Sequence, residues 1–142
     1  MRIAFEGKLI PPIGKDKIWE VQIPSLGIFT EGTSRKDAYD MAKDAVETLI
    51  ETDLDILVDP VSEEKFMLLM NYCTEVVARV LKRSRANANM TITEVAKEMN
   101  SQYANAYAQY EQGKSLPSAE KFSEIIAHMN PALEPMLKVG NG

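Results

Sequence analysis

Hydrophobic positions recur with two different periods, and the change from one to the other near residue 74 divides the sequence in two. In the first part Ile3 and Phe5 alternate with polar neighbours, and Trp19, Val21 and Ile23 alternate with Glu20 and Gln22. A period of two places successive side chains on opposite faces of a strand, so these segments predict half-buried strands. Gly14 to Lys17 supplies a hairpin loop between them. Pro24-Ser25-Leu26-Gly27 predicts a turn, because proline ends strand pairing and glycine accepts a positive φ, and Ile28 to Glu31 then returns as a third strand. Ser34 with Asp37 three residues on forms a helix start. Ala38, Met41, Ala42, Ala45, Val46, Leu49 and Ile50 follow at helical spacing and predict a stripe packed on the sheet. Beyond Asp53, Ile56 to Val58 reads as another strand. The apolar run Phe66 to Met70 fits either its hairpin partner or the beginning of a helix.

From about Thr74 the period is helical throughout. Val77, Val80 and Leu81 form the inner face of a first helix, decorated by Arg79, Lys82, Arg83 and Arg85. Asn87-Ala88-Asn89 interrupts it. Thr91 and Glu94 form a T-x-x-E capping box for a second helix, with Ile92, Val95, Ala96 and Met99 on one face. Asn100-Ser101 makes a tight connection to a third helix with a Tyr103, Tyr107 and Tyr110 seam. Gly113 ends that helix, Pro117-Ser118 starts another carrying Phe122, Ile125, Ile126 and Met129 inward, and Pro131 marks its stop. The expected fold class is therefore α+β: an antiparallel sheet with one helix over residues 1–70, followed by an all-α domain over residues 74–142.

Composition adds three constraints. With 45% hydrophobic and 26% charged residues over 142 positions, the chain has the balance of a folded globular protein. One cysteine, Cys73, excludes an intramolecular disulfide and a cysteine-cluster zinc site, which fits a reducing compartment. No stretch approaches the roughly 20 apolar residues needed to cross a bilayer, and the first residues lack the apolar core of a signal peptide, so a cytoplasmic location is expected and no membrane partner. The net charge of -5 is unevenly spread. Residues 1–72 carry 8 Lys and Arg against 14 Asp and Glu, and the remainder 8 against 7. An acidic first part suits a basic protein partner, while a near-neutral second part can still offer a local basic face to phosphate.

The run Met90 to Met99, followed by Tyr110-Glu111-Gln112-Gly113-Lys114-Ser115-Leu116-Pro117-Ser118, resembles the phage-repressor (Xre, Cro/C1) helix-turn-helix family over about residues 77–130. Two departures stand out: Asn100 occupies a position where glycine is usual, and one extra residue lies between Met99 and Tyr103. The resemblance implies a recognition helix that enters the major groove. In that register its outward face presents Gln102, Tyr103, Asn105, Ala106 and Gln109, where Asn and Gln can pair with adenine and Ala or Tyr can pack on a thymine methyl. The helix carries no Arg or Lys, so phosphate neutralisation falls to Lys97 and Lys114, with Arg83 and Arg85 as further candidates.

The first part carries a second resemblance. Trp19-x-Val21-x-Ile23-Pro24-x-Leu26-Gly27-x-Phe29-Thr30-Glu31-Gly32-Thr33-Ser34, with Ala38, Ala42 and Ala45 after it, is similar to the HicB antitoxin domain. That family has a partial ribonuclease-H-like sheet with one helix. The resemblance implies a HicA-type toxin as partner, a small basic ribonuclease, and a second domain that forms a homodimer or higher homo-oligomer and represses its own operon at double-stranded operator DNA. Glu31, Asp37, Asp40, Asp44 and Glu47 are the expected contacts to a basic toxin. The competing expectation is a stand-alone transcriptional regulator whose sheet oligomerises or senses a ligand.

Catalysis is not expected. Two-metal chemistry of the ribonuclease H kind needs several carboxylates converging from strand centres, whereas here Glu6 and Glu20 sit on strands and Glu20 lies on the face opposite Trp19 and Val21. The single histidine, His128, falls on the last helix, and Cys73 has no histidine near it in sequence. No metal and no cofactor is implied.

Overall fold

The computed structural model describes residues 1–51, 53–99, 104–132 and 137–140. Over these described residues it is an α+β fold with a six-stranded antiparallel sheet and five helices. The strands are β1 (Arg2–Ile10), β2 (Trp19–Ile23), β3 (Ile28–Gly32), β4 (Leu57–Pro60), β5 (Lys65–Asn71) and β6 (Leu137–Gly140). The helices are α1 (Arg35–Ile50), α2 (Thr74–Asn87), α3 (Ile92–Met99), α4 (Ala104–Glu111) and α5 (Ala119–Met129). Sheet order is β3-β2-β1-β5-β4, with β6 paired to β1.

Alternation sorts the sheet into two faces. Ile3, Phe5 and Leu9 of β1, Val21 and Ile23 of β2, and Phe66, Leu68 and Met70 of β5 are buried in one core. The same core takes Ala38, Ala42, Val46 and Ile50 from α1 and Val76, Val77, Val80 and Leu81 from α2. Both parts of the sequence thus share one continuous apolar interior. Of the expected α1 stripe, Met41 is the exception and is exposed. The run Phe66 to Met70 is a strand, since Phe66, Leu68 and Met70 point inward while Met67 and Leu69 point to the other face.

Local chemistry sets the ends of the elements. The Ser34 side chain accepts from the Asp37 N–H at 3.0 Å, and Asp37 Oδ2 accepts in return from the Thr33 N–H at 2.8 Å. The turn before β3 is a short 3-10 helix at Pro24–Leu26 closed by Gly27 with φ +62°. At Gly32 the sheet and α1 approach so closely that a Cβ would lie 2.5 Å from the Ala38 nitrogen. Backbone cannot yield as a side chain can.

The second part is not wholly helical. The expectation of an all-α domain over residues 74–142 is corrected by β6, which returns to pair with Arg2 to Phe5 of β1. The reason lies in strand lengths. β2 pairs only with Lys8 to Ile10, which leaves the rest of that β1 edge with unpaired backbone groups; an open edge is costly inside a fold, and β6 closes it. Tyr72 makes a second tie, donating its hydroxyl to the Pro117 carbonyl at 2.7 Å just before α5. Among the described residues no helix is long and apolar enough to cross a membrane.

Gly32→Ala is expected to lower stability by about 1–3 kcal/mol through overpacking against α1, measured as a shift of the urea unfolding midpoint at unchanged slope.

Candidate nucleic-acid interface

Three short helices, α3, α4 and α5, pack with α2 as a compact layer. The capping box of α3 is reciprocal: Thr91 Oγ1 accepts from the Glu94 N–H at 3.1 Å, and Glu94 Oε1 accepts from the Thr91 N–H at 3.2 Å. Val95 and Ala96 are buried and Met99 packs on the core, but Ile92 is exposed, against expectation. It sits on the first turn, beside the cap, where the helix has not yet reached the interior. The break between α2 and α3 falls at Asn89, whose φ of +58° is the left-handed conformation that asparagine tolerates.

α4 is held from one side. Tyr107 is fully buried, and its hydroxyl contacts Met129 Sδ at 3.8 Å. Glu111, one turn later, is also buried, and Arg85 of α2 reaches it with a two-pronged bond in which Nε donates to Oε2 at 2.9 Å and Nη2 to Oε1. Arg85 Nη1 also donates to the Met90 carbonyl at 3.0 Å. One guanidinium therefore joins α2, the α2–α3 turn and the end of α4. Its bond to Glu111 raises the Arg85 pKa, and burial, reinforced by Glu111, raises that of the Tyr107 phenol. The result is a neutral Tyr107 beside a charged, compensated pair. Sequence reading gave no signal for this pair, because Arg85 and Glu111 lie 26 positions apart and each resembles an ordinary surface charge.

On its other side α4 is open. Asn105 and Gln109, four residues apart, are exposed, and Ala106 is half-buried beside them. Lys97 at the end of α3 and Lys114 after Gly113 are exposed as well. Gln102 and Tyr103 lie outside the described residues, as does the Asn100-Ser101 connection. Of the further cations, Arg85 is committed to Glu111, and the Arg83 guanidinium lies over Gly27 at the sheet. Arg79 and Lys82 join Arg83 along the groove between α1 and α2, away from α4.

The five acidic residues expected to meet a basic partner do not share one surface. Asp40, Asp44 and Glu47 are exposed on α1, and Asp44 and Glu47 line an open acidic groove together with Glu51 and Asp53. Asp37 is half-buried and occupied by its bonds to Thr33. Glu31 pairs across the sheet with Glu20 on the face away from α1. Trp19 is partly buried with the Arg35 guanidinium 5.1 Å from its ring centroid, which makes it part of the core margin.

Among the described residues no group of three or more His, Cys, Asp or Glu could hold a metal ion. His128 is exposed near the end of α5, and burial pushes the Cys73 thiol pKa up, the opposite of what an activated thiolate needs. Scans against protein-family models, characterised proteins and solved structures find no match to this sequence.

Arg85→Met is expected to cost about 3 kcal/mol, the low end for a broken buried pair because Arg85 keeps part of its side chain in solvent. Arg85→Met with Glu111→Leu should recover most of that loss, read from urea unfolding of the two single variants and the double.

Proposed function

We propose that this chain is an antitoxin and autorepressor of the HicB type, with a partial ribonuclease-H-like sheet that binds a HicA-type ribonuclease toxin and a helix-turn-helix part that binds operator DNA. The observation that carries the reading is the two-sided character of α4. Tyr107 and Glu111 anchor one face, and the other offers Asn105 and Gln109 to solvent with Lys97 and Lys114 on either side in sequence. A rigidly backed helix with an exposed amide face is what base readout requires, since a hydrogen-bonding side chain discriminates only if its own position is fixed. The flanking lysines supply charge that neutralises phosphate and carries no sequence information.

On the sheet part, the open acidic groove of α1 supports a basic partner. Asp40, Asp44 and Glu47 are free to meet it, with Glu51 and Asp53 close by. Covering a basic ribonuclease surface with these carboxylates blocks access of RNA phosphates to the same cations. No catalytic step is assigned to this chain, whose role is binding. Repression then couples to toxin level, because any contact that differs between free and toxin-bound forms changes operator affinity by the same factor in both directions.

Asn105→Ala and Gln109→Ala should each weaken operator binding by about 1–3 kcal/mol and relax preference at one base pair, while Lys97→Ala and Lys114→Ala should weaken all sequences alike and reduce the salt slope by about one each. Mobility-shift titrations at several salt concentrations separate the two classes. Asp40→Lys with Asp44→Lys should abolish capture of the small basic protein encoded beside this gene and leave operator binding by the free chain unchanged. A neighbour that is harmless when expressed alone and does not co-elute with the chain would instead favour a stand-alone regulator.

A further inference from the structure

Three cations of α2 gather where the two parts of the chain meet. Arg79, Lys82 and Arg83 line a groove of about 260 Å³ between α1 and α2. Leu26, from the short turn before β3, and Leu49 of α1 supply its apolar side, and Ala86 and Asn87 continue it along the last turn of α2. Positions 79, 82 and 83 stand three and four residues apart, so their side chains share one face of the helix. Arg79 to Arg83 covers about 6 Å along the axis.

The turn opposite sets the position of Arg83. Its Nη2 lies 3.5 Å from the Gly27 carbonyl oxygen, and the guanidinium sits so close over Gly27 that a Cβ there would collide with it. Gly27, at φ +62°, closes the same turn that brings Leu26 to the groove. A single long contact leaves most of the five guanidinium donors free. The chain as a whole carries a net charge of -5, yet among the described residues none of the three cations is ion-paired. Glu47 and Glu51, the carboxylates of the α1 end, line the separate acidic groove instead. Like charges at this spacing repel one another, and all three precede the last turn, where the helix dipole would reward a cation. Nothing within the fold offsets their grouping.

We infer that this groove is a binding site for a small phosphorylated molecule with a planar, apolar body, of the mononucleotide class. Charge favours phosphate: a phosphomonoester carries about -1.5 to -2 at neutral pH, whereas a lone carboxylate would leave two of the three cations uncompensated. The planar fork of each arginine matches phosphate oxygens two at a time, and Lys82 adds a compact point charge. Leu26 and Leu49 then take the face of a ring, and Asn87 offers an amide to its edge. The groove is slightly smaller than the roughly 300 Å³ at which pockets for larger ligands begin, so it suits a phosphate and one ring system. It faces away from α4 and is separate from the amide face assigned above to DNA. Its walls come from α1 and the turn on one side and from α2 on the other. A bound ligand therefore clamps the sheet part to the helical part and stabilises both by mass action.

Thermal unfolding and calorimetric titration of the full chain with ADP, AMP, adenosine and inorganic pyrophosphate test the site. ADP and AMP are expected to bind at a single site per chain and to raise the melting temperature as their concentration rises. Adenosine, which lacks phosphate, should leave it unchanged, and pyrophosphate, which lacks the ring, should bind roughly tenfold or more weakly than ADP. Ala86→Glu places a carboxylate in the groove at an exposed helix position and should abolish ADP binding. Lys82→Gln should weaken it by roughly tenfold. Both variants should unfold at the wild-type temperature without ligand, and Lys17→Gln, which removes an exposed cation far along the sequence, should bind ADP as the wild type does. ADP and AMP that leave the melting temperature unchanged at millimolar concentration, groove variants that bind ADP normally, or adenosine or pyrophosphate binding as tightly as ADP would each overturn the inference. So would a short DNA duplex that competes with ADP and is itself bound less well by the two groove variants, which would assign the cations to a nucleic-acid backbone.

Discussion

The constraint on which the rest depends is β1, whose two edges must both be paired. On one edge β5 runs beside it from Arg2 to Lys8, and the other edge is divided between β2 and β6. Its inward side chains, Ile3, Phe5 and Leu9, are fully buried, and Gly7 leaves room for the Phe66 ring. Because β6 comes from the far end of the chain, the sheet cannot be completed until α2 to α5 have been placed. The helical layer is therefore tied to the sheet through the backbone ladder and through the single core.

That tie gives the α4 arrangement its meaning. Arg85 and Glu111 fix the end of α4 against α2, and α2 is in turn packed on the sheet through Val76, Val77, Val80 and Leu81. A buried ion pair adds little net stability over apolar residues of the same shape, but it is costly to break and so admits few alternative placements. The open amide face of α4 is held in one orientation relative to everything else. The acidic groove of α1 and the uncovered face of the sheet belong to the same fold, so three surfaces of different chemistry surround a single core.

Much of the fold was legible in the sequence. Alternation located β1 and β2, the Pro24–Gly27 turn located β3, and the helical period from Thr74 located α2 and α5 with their buried residues. The caps at Ser34, Thr91 and Ser118 were visible because capping depends on residues three apart. The features not legible were long-range. β6 has four residues, too few to show a period, and its role arises from the unpaired edge of β1. Arg85 and Glu111 look like surface charges until packing brings them together. Met41 and Ile92 fit their helical patterns but fall at the margin of the stripe and at the first turn. For the site, exposure of Asn105 and Gln109 followed from the Tyr107 seam. The spread of Glu31, Asp37 and Asp44 over different surfaces depends on which sheet face α1 covers, a choice no local pattern encodes.

The most direct test of the central claim is nuclease footprinting of the full chain on the DNA upstream of its own gene, with and without any small basic neighbour encoded beside it. The account predicts a palindromic protected site whose protection is lost when Asn105 and Gln109 are replaced and whose affinity changes when the neighbour binds. Protection that is uniform along the DNA, or equal for the wild-type and substituted chains, would contradict it.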